Sequence, residues 1–329
     1  MSSVPSVVVA GGAGYIGSHM VRMLSESGWH PVVVDNLATG HADAAAGATL
    51  CQGDIGDRAF MGAVLREYQP ACVMHFAAAS LVGESVVQPA RYWHNNVVQT
   101  LALLDTMLEC DVRQFIFSST AAVYGEPVQV PMTESHQRLP INPYGQSKLA
   151  VENALADYGR AYGLRSTIFR YFNAAGAHPD GSLGERHEPE THLIPLVLQV
   201  ASGRRDVIAR FGSDFPTRDG SCIRDYVHVQ DLCDAHLLAL RALGSDAAGS
   251  IFNLGNGDGH SVNEVIETAR QVTGHPIPMR DDPRRAGDPP VLVADASRAR
   301  AELGWTPRYA DLETIIAHAW RWEQRQHGG

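Results

Sequence analysis

A glycine cluster in a particular setting constrains this chain more than any other feature. Gly11-Gly-Ala-Gly14-Tyr-Ile-Gly17 follows the Val-rich run Ser6–Ala10 and opens a stretch, Tyr15 to about Ser27, whose apolar spacing is helical and which Gly28 can stop. A buried strand that turns through glycines into a helix brings backbone amides and a helix N-terminus to a pyrophosphate, with no side chains in the way. The Gly-x-x-Gly-x-x-Gly spacing is looser than the common dinucleotide fingerprint, and a tightly packed turn would use glycines too. The next strand, Pro31–Asp35, adds the discriminating feature. It ends in Asp35, 18 residues beyond Gly17, where a carboxylate can accept both hydroxyls of an adenosine ribose and repel a 2′-phosphate. The expected cofactor is NAD rather than NADP. Asp54-Ile55, at the end of a third strand over Thr49–Asp54, either meets the adenine or caps the following helix.

The rest of the first half repeats the alternation. Asp57–Tyr68 reads as a helix with Asp57 a possible cap, Cys72–Ala77 as a strand, and much of Ala90–Glu109 as a helix. Gln114–Phe117 reads as a strand, the region near Pro143–Arg160 as a long helix, and Ser166–Arg170 as a strand. Apolar strands alternating with helices predict an α/β fold with a Rossmann-type, doubly wound parallel sheet covered on both faces. Right-handed crossovers put the loops after the strands along one edge, where ligands bind. After Asn173 the pattern changes: 174–192 and 204–226 are irregular, rich in turn residues, and predict a smaller lobe laid over that edge. Ser250–Leu254 and Ser261–Val272 read as a returning strand and helix, with Ser261 and Glu264 in capping-box positions. Pro276–Pro290 is a loop by composition, and Leu312–Gln324 closes the chain as a helix.

A length of 329 residues suggests two domains at roughly 150 residues each. A formal charge of −10 argues against nucleic-acid partners, whose phosphates need clustered Lys and Arg. It does not exclude a phosphorylated ligand held by helix-end amides and a few arginines. Cys51, Cys72, Cys110, Cys222 and Cys233 never form a close metal-binding pair, so reduced thiols in the cytoplasm, and no metal, are expected. No secretory signal is read at the start of the chain, and no apolar run reaches the roughly 18 residues that span a bilayer, so no membrane association is expected.

Tyr144-Gly-Gln-Ser-Lys148 places Tyr144 and Lys148 four residues apart, on one face if the segment is helical. Bringing a phenol from about 10 to near 7 requires roughly 4 kcal/mol of differential stabilisation, which a neighbouring ammonium and a bound nicotinamide can supply. Tyr144 then serves as acid and base, with Lys148 its electrostatic partner and a ligand of the nicotinamide ribose. A solvated Tyr/Lys pair on a helix surface is the plain alternative. Phe117-Ser-Ser-Thr120 ends an apolar strand, so Thr120 would lie at the ligand edge and could relay the substrate's proton to Tyr144.

Together, GGAGYIGSH at 11–19, VDNL at 34–37, HFAA at 75–78, VGESV at 82–86, NNV at 95–97, FSSTAAVYG at 117–125, PYGQSK at 143–148, RYFNAAGA at 170–177 and RDYVHV at 224–229 form a specific set. With them the chain resembles the extended short-chain dehydrogenase/reductase superfamily, and within it the NAD-dependent epimerase/dehydratase enzymes that invert C4 of UDP-glucose. The resemblance runs from the first strand nearly to the C-terminus. It implies reversible interconversion of UDP-glucose and UDP-galactose through a 4-keto sugar, by transient hydride transfer to a tightly bound NAD. It also implies a homodimer joined through the helices near 90–109 and 143–160. The domains would be an NAD-binding core over 1–173 and a mainly nucleotide-sugar-binding lobe over 174–329, with segments near 225–260 returning to the core.

By position, the resemblance makes Thr120, Tyr144 and Lys148 catalytic. Gly11, Gly14, Tyr15, Ile16, Gly17, Asp35, Asn36, Asp54, Ile55, Phe76, Ala77, Ala78, Asn95, Asn96, Ser118 and Tyr171 join Tyr144 and Lys148 around the cofactor. Ser80, Asn173, His192, Leu193, Phe211, Arg224, Arg285, Asp288 and Leu292 join Thr120 and Tyr144 around UDP and the sugar. Arg224 and Arg285 suit a pyrophosphate, and Phe211 suits the face of a uracil. Ser80 stands where some relatives carry Lys. Leu292 stands where some carry a bulky Tyr, which implies room for UDP-N-acetylhexosamines. Related 4,6-dehydratases place an Asp-Glu pair directly after the catalytic Ser/Thr, and here that place reads Ala121-Ala122. Uronate-handling relatives, and an NAD-binding protein with no catalytic role, are the remaining alternatives.

Overall fold

The structure, a computed structural model, describes residues 4–242, 250–285 and 287–327. Seven strands pair in the order Ile251–Leu254, Arg165–Tyr171, Gln114–Thr120, Cys72–His75, Ser6–Ala10, His30–Asp35 and Thr49–Gln52. Every pairing in this sheet is parallel. The order turns back on itself between Ser6–Ala10 and Cys72–His75, the position where a doubly wound sheet opens a crevice at its carboxyl edge.

Both faces of the sheet are buried, and the strand period sorts residues between them. Val7, Val9, Val33 and Met74 face one way, into a core with Met20, Leu24, Leu232 and Leu240. Val8, Val32, Val34 and Val73 face the other way, into a core with Met61, Leu65, Leu103, Leu104 and Met107. Burial of such side chains contributes roughly 1.5–3 kcal/mol each. The helices on both faces are therefore pinned to the sheet.

Most expected elements form. Helix Arg58–Tyr68 is capped by the Asp57 carboxylate, which accepts from the amides of Ala59 and Phe60. Helix Val262–Thr273 starts with the expected reciprocal box between Ser261 and Glu264. Helix Pro143–Tyr162 is capped by Asn142, whose side chain accepts from the Gly145 amide.

Three expectations need correction. The expected helix over much of Ala90–Glu109 runs from Pro89 to Glu109, but its stretch Trp93–Val98 is a π-helical turn. The irregular 204–226 contains Ile208–Phe211 and most of strand Ile223–His228. The loop read over Pro276–Pro290 contains strand Met279–Asp282, parallel to Ile208–Phe211 and secured by the Arg210–Asp281 pair; Ala286 lies outside the described residues. Composition missed this strand because its partner lies some seventy residues away in sequence and its residues are mostly charged.

Strands Asn173–Ala175, Ile223–His228, Gly259–Ser261 and Val291–Leu292 form a second sheet. Helices Leu193–Ala201, Val262–Thr273 and Leu312–His327 share a separate apolar core with Ile208 and Tyr226.

Candidate active site

The glycine turn sits at the crevice. Gly11 has φ +78°, and a Cβ there would lie 2.5 Å from the Ala77 amide nitrogen; one on Gly17 would lie 2.1 Å from the Gly11 carbonyl oxygen. The turn therefore closes only with glycine at both places. Helix Tyr15–Glu26 begins at Gly14 with no side chain capping its first amides, which leaves an anion site open. Asp35 is nearly buried. Its carboxylate accepts from the Ala13 amide at 3.0 Å and the Leu37 amide at 2.9 Å, which locks it beside the turn. Asp54 is not the helix cap: it accepts from the Gly56 amide, from Asn36 at 3.3 Å and from Gln99 at 3.2 Å. Ile55 is buried in the core below it. The Tyr15 phenol donates to the Gly176 carbonyl at 2.6 Å, and the Ile16 carbonyl faces the Cys233 thiol.

The π-turn aims Asn96 inward. Its side chain accepts from the Ala79 amide and donates to the Ala79 carbonyl and the Ser147 hydroxyl, at 2.9–3.0 Å; Asn95 donates to it. One amide thus ties the loop after Cys72–His75, which carries Phe76, Ala77 and Ala78, to the helix bearing Tyr144 and Lys148. Ser80 follows on this loop and is exposed.

Thr120 is the last residue of its strand, and its hydroxyl accepts from the Ala122 amide at 3.1 Å. Burial pushes the Tyr144 phenol above its ordinary value, and the hydrogen bond with Thr120 only partly offsets that. The expected phenol near neutrality is not met by the protein's own groups. Lys148, 3% exposed, donates to the Ser118 carbonyl at 2.8 Å and lies 4.8 Å from the centroid of the Phe117 ring. Burial lowers its ammonium to about 7, against a smaller upward pull from Glu152.

Behind these groups runs a chain of hydroxyls that sequence reasoning only partly found. Ser118 Oγ is 2.9 Å from Tyr171 Oη, which is 2.6 Å from His236 Nε2; His236 Nδ1 is 2.8 Å from the Leu232 carbonyl. Burial lowers the His236 imidazole to about 4, so the ring is neutral, donates from Nδ1 and accepts from Tyr171. His236 lies in a helix for which the sequence offered no motif. A second buried network supports the same strands: Glu152 holds Arg170 bidentately at 3.0 and 2.6 Å and accepts from Ser119 at 2.5 Å.

Of the expected sugar-nucleotide residues, Asn173, Arg224 and Leu292 lie on the second sheet, Phe211 ends strand Ile208–Phe211, and Leu193 opens a helix. Asn173 donates to the Asp225 carbonyl at 3.0 Å. Arg224 pairs with Asp288 and donates to the Ile223 carbonyl. The Arg285 guanidinium lies on the Phe211 ring, 3.9 Å from its centroid. Leu292 pairs with Arg224 in the sheet and packs against Val123, Tyr124 and Met132. His192 precedes helix Leu193–Ala201; its ring is ion-paired with Glu185, in a cluster with His187 and Glu190. The Glu-x-His-x-x-Glu-x-His spacing of that cluster was legible in the sequence and went unread.

The model of the NAD dependent epimerase/dehydratase family matches residues 7–255. The chain is 54% identical over 324 residues to the UDP-glucose 4-epimerase of Halalkalibacterium halodurans, spanning 98% of this chain and 97% of the relative. The UDP-glucose 4-epimerase of Brucella ovis, solved in complex with NAD, superposes with a TM-score of 0.93 at 48% identity, covering 97% and 99% of the two chains. The UDP-Glc/GlcNAc 4-epimerase of Campylobacter jejuni superposes with a TM-score of 0.85 at 41% identity, over 98% and 99%.

Proposed function

The chain belongs to the NAD dependent epimerase/dehydratase family, and on that premise we propose that it is an isomerase interconverting UDP-glucose and UDP-galactose. The observation that carries this reading is Thr120, the last residue of its strand at the carboxyl edge and next to Ala121-Ala122, set beside Tyr144, which shares one helix with buried Lys148. Those alanines provide no acid or base for elimination, which leaves proton transfer at a single carbinol.

The residues present fit NAD. Gly11 and Gly17 let the turn close tightly on its own backbone, Gly14 leaves the approach to the helix start open, the amides after it are uncapped, and a fixed carboxylate at Asp35 stands where the ribose would lie. Gly11, Gly14, Tyr15, Ile16 and Gly17 hold the pyrophosphate, and Asp35, Asn36, Asp54 and Ile55 hold the adenosine. Phe76, Ala77, Ala78, Asn95, Asn96, Ser118, Lys148 and Tyr171 hold the nicotinamide half. When bound, NAD supplies reversible two-electron oxidation at C4 of the sugar, through a 4-keto sugar. Thr120 hydrogen-bonds the 4-oxygen, and Tyr144 takes and returns its proton. Arg224 and Arg285 meet the UDP pyrophosphate, with Asp288 orienting Arg224 and Phe211 flanking the uracil. Asn173, Ser80 and Leu193 complete the substrate side, whereas the His192 ring, expected there, turns instead to Glu185. Anchoring through UDP leaves the sugar free to present its other face.

Residues 1–173 make up most of the NAD-binding domain, with segments near 225–260 returning to it, and the remainder binds the nucleotide sugar. Exposed Val82, Val86, Val87, Trp93 and Val98 favour a homodimer joined through this region and the helix near 143–160. Five free cysteines favour the cytoplasm. Among the described residues no helix is long and apolar enough to cross a membrane.

Leu292 is smaller than a tyrosine, so the substrate range extends to the UDP-N-acetylhexosamine pair. An assay over UDP-glucose, UDP-galactose, UDP-N-acetylglucosamine and UDP-glucuronate tests the assignment. Turnover of the first two without added NAD, and measurable turnover of the third, are expected. Faster turnover of UDP-glucuronate than of UDP-glucose would overturn the assignment.

A further inference from the structure

Outside the catalytic crevice, one loop concentrates metal-ligating side chains. Between Gly184 and helix Leu193–Ala201, the donor atoms of Glu185, His187, Glu190 and His192 all lie within 4.8 Å of one another. His187 Nδ1 is 2.9 Å from Glu185 Oε1 and 3.9 Å from Glu190 Oε1, while His192 Nδ1 touches Glu185 Oε1. The donors converge on one point although they come from a span of eight residues with no regular structure.

Two further observations point to a ligand. The Glu185 and Glu190 side chains are only 5% and 7% exposed, yet among the described residues neither has an Arg or Lys within ion-pairing distance. Burying two carboxylates together is costly without compensating positive charge, which here falls to the His187 and His192 rings alone unless an ion binds. His187 Nδ1 is buried and, despite its closeness to Glu185, makes no hydrogen bond of acceptable geometry. It is a nitrogen held against one carboxylate and facing a second, without a well-formed hydrogen bond to either.

We propose that Glu185, His187, Glu190 and His192 bind one divalent transition-metal ion, with Zn2+ the best match to two imidazoles and two carboxylates. A tetrahedral Zn2+ sits about 2.0–2.2 Å from N and O ligands, which sets its donors roughly 3.3–3.6 Å apart. The donor separations of the cluster, 2.9 and 3.9 Å from His187 Nδ1 to the two carboxylates, bracket that spacing. The nitrogen donors disfavour Mg2+ and Ca2+. Outer contacts already hold the ligands: Glu190 accepts from the Thr191 and His192 amides at 2.6 and 2.8 Å, and Trp322 donates to the Glu185 carbonyl at 2.9 Å.

Its place in the fold gives the ion a task. His187 packs edge-on to Tyr15, the first residue of the helix after the glycine turn, and Arg186 pairs with Asp43 in the first half of the chain. His192 immediately precedes helix Leu193–Ala201, and Trp322 belongs to the last helix. The ion thus clamps the loop where the glycine-turn helix meets the lobe.

The test uses purified full-length protein, stripped with a chelator, dialysed, and titrated with Zn2+ alone and with Co2+ alone. Metal content is read by inductively coupled plasma mass spectrometry, coordination by the visible Co2+ spectrum, and stability by Tm. We expect one Zn2+ per chain, tetrahedral Co2+ bands without thiolate charge transfer, and a Tm that rises with Zn2+. His187→Ala and Glu190→Gln should each weaken Zn2+ binding at least tenfold. Absence of saturable Zn2+ binding, which would leave the cluster an imidazolium–carboxylate network, overturns the proposal. A thiolate band, or undiminished binding in both variants, does the same. If the variants do not fold, the stoichiometry and Co2+ spectrum of the unsubstituted protein decide the matter.

Discussion

At Tyr144 and Lys148 burial works against charge on both partners: the phenol is pushed up and the ammonium down to about 7. The positions were legible because a helix places residues four apart on one face, and because a polar residue ending an apolar strand sits at the ligand edge. Their electrostatics were not, since these depend on depth and on Ser118 as a partner. His236 was illegible for a similar reason: its role comes from Tyr171, which is 65 residues away in sequence. A Lys148→Met variant separates stability from chemistry. The folded pKa of Lys148 lies below its unfolded value near 10.5, so at this group the unfolded chain binds the proton more strongly between about 7 and 10.5, and its contribution to stability rises with pH across that window. Without the ammonium that rise should flatten, while turnover falls by roughly 10²–10⁴. Urea unfolding at several pH values, with turnover measured in parallel, checks both; unchanged turnover would remove Lys148 from the mechanism.

At the scale of elements, strands, caps and the glycine turn were readable because each is written in consecutive residues. Asp57, Ser261 and Glu264 act where their spacing puts them. The π-turn at Trp93–Val98 was not readable, because nothing local in a helical sequence announces an extra residue per turn. Its consequence is the inward aim of Asn96, which fixes the cofactor loop to the catalytic helix. Strand Met279–Asp282 escaped notice because a charged edge strand is defined by its distant partner. The glycine turn supplies the element-scale prediction. A methyl group at Gly17 would collide with the Gly11 carbonyl, so Gly17→Ala should purify with little bound NAD, read as nucleotide absorbance after denaturation, and with a lowered Tm. NAD content equal to that of the unsubstituted protein would show that the turn does not hold the pyrophosphate.

For the molecule as a whole, a doubly wound parallel sheet with its ligand edge followed from strand–helix alternation and crossover handedness. How the lobe's short strands pair did not, because those pairings join segments far apart in sequence. Tertiary burial also gives the fold a pH response that no segment shows alone. His19, His75, His228 and His236 are buried, with pKa values lowered to about 3–4 chiefly by burial. Their unfolded values lie near 6.5, so the unfolded chain binds more protons as pH falls from 6.5 toward 4, and stability falls with it. Asp225 and Asp231, raised to about 6 by burial, pull the other way between about 4 and 6 and offset part of the loss. Each net proton changes the slope by about 1.4 kcal/mol per pH unit. The urea midpoint should therefore drop between pH 6.5 and 4; a flat profile would contradict the buried neutral histidines.

The claim on which the functional account rests is that the Tyr144 hydroxyl carries the proton at C4. Steady-state epimerisation of UDP-glucose by Tyr144→Phe, with UDP affinity measured on the same sample, tests it most directly. The account predicts at least about a hundredfold loss in kcat with UDP binding retained. A variant that epimerises at the original rate, with its UDP affinity intact, would contradict it.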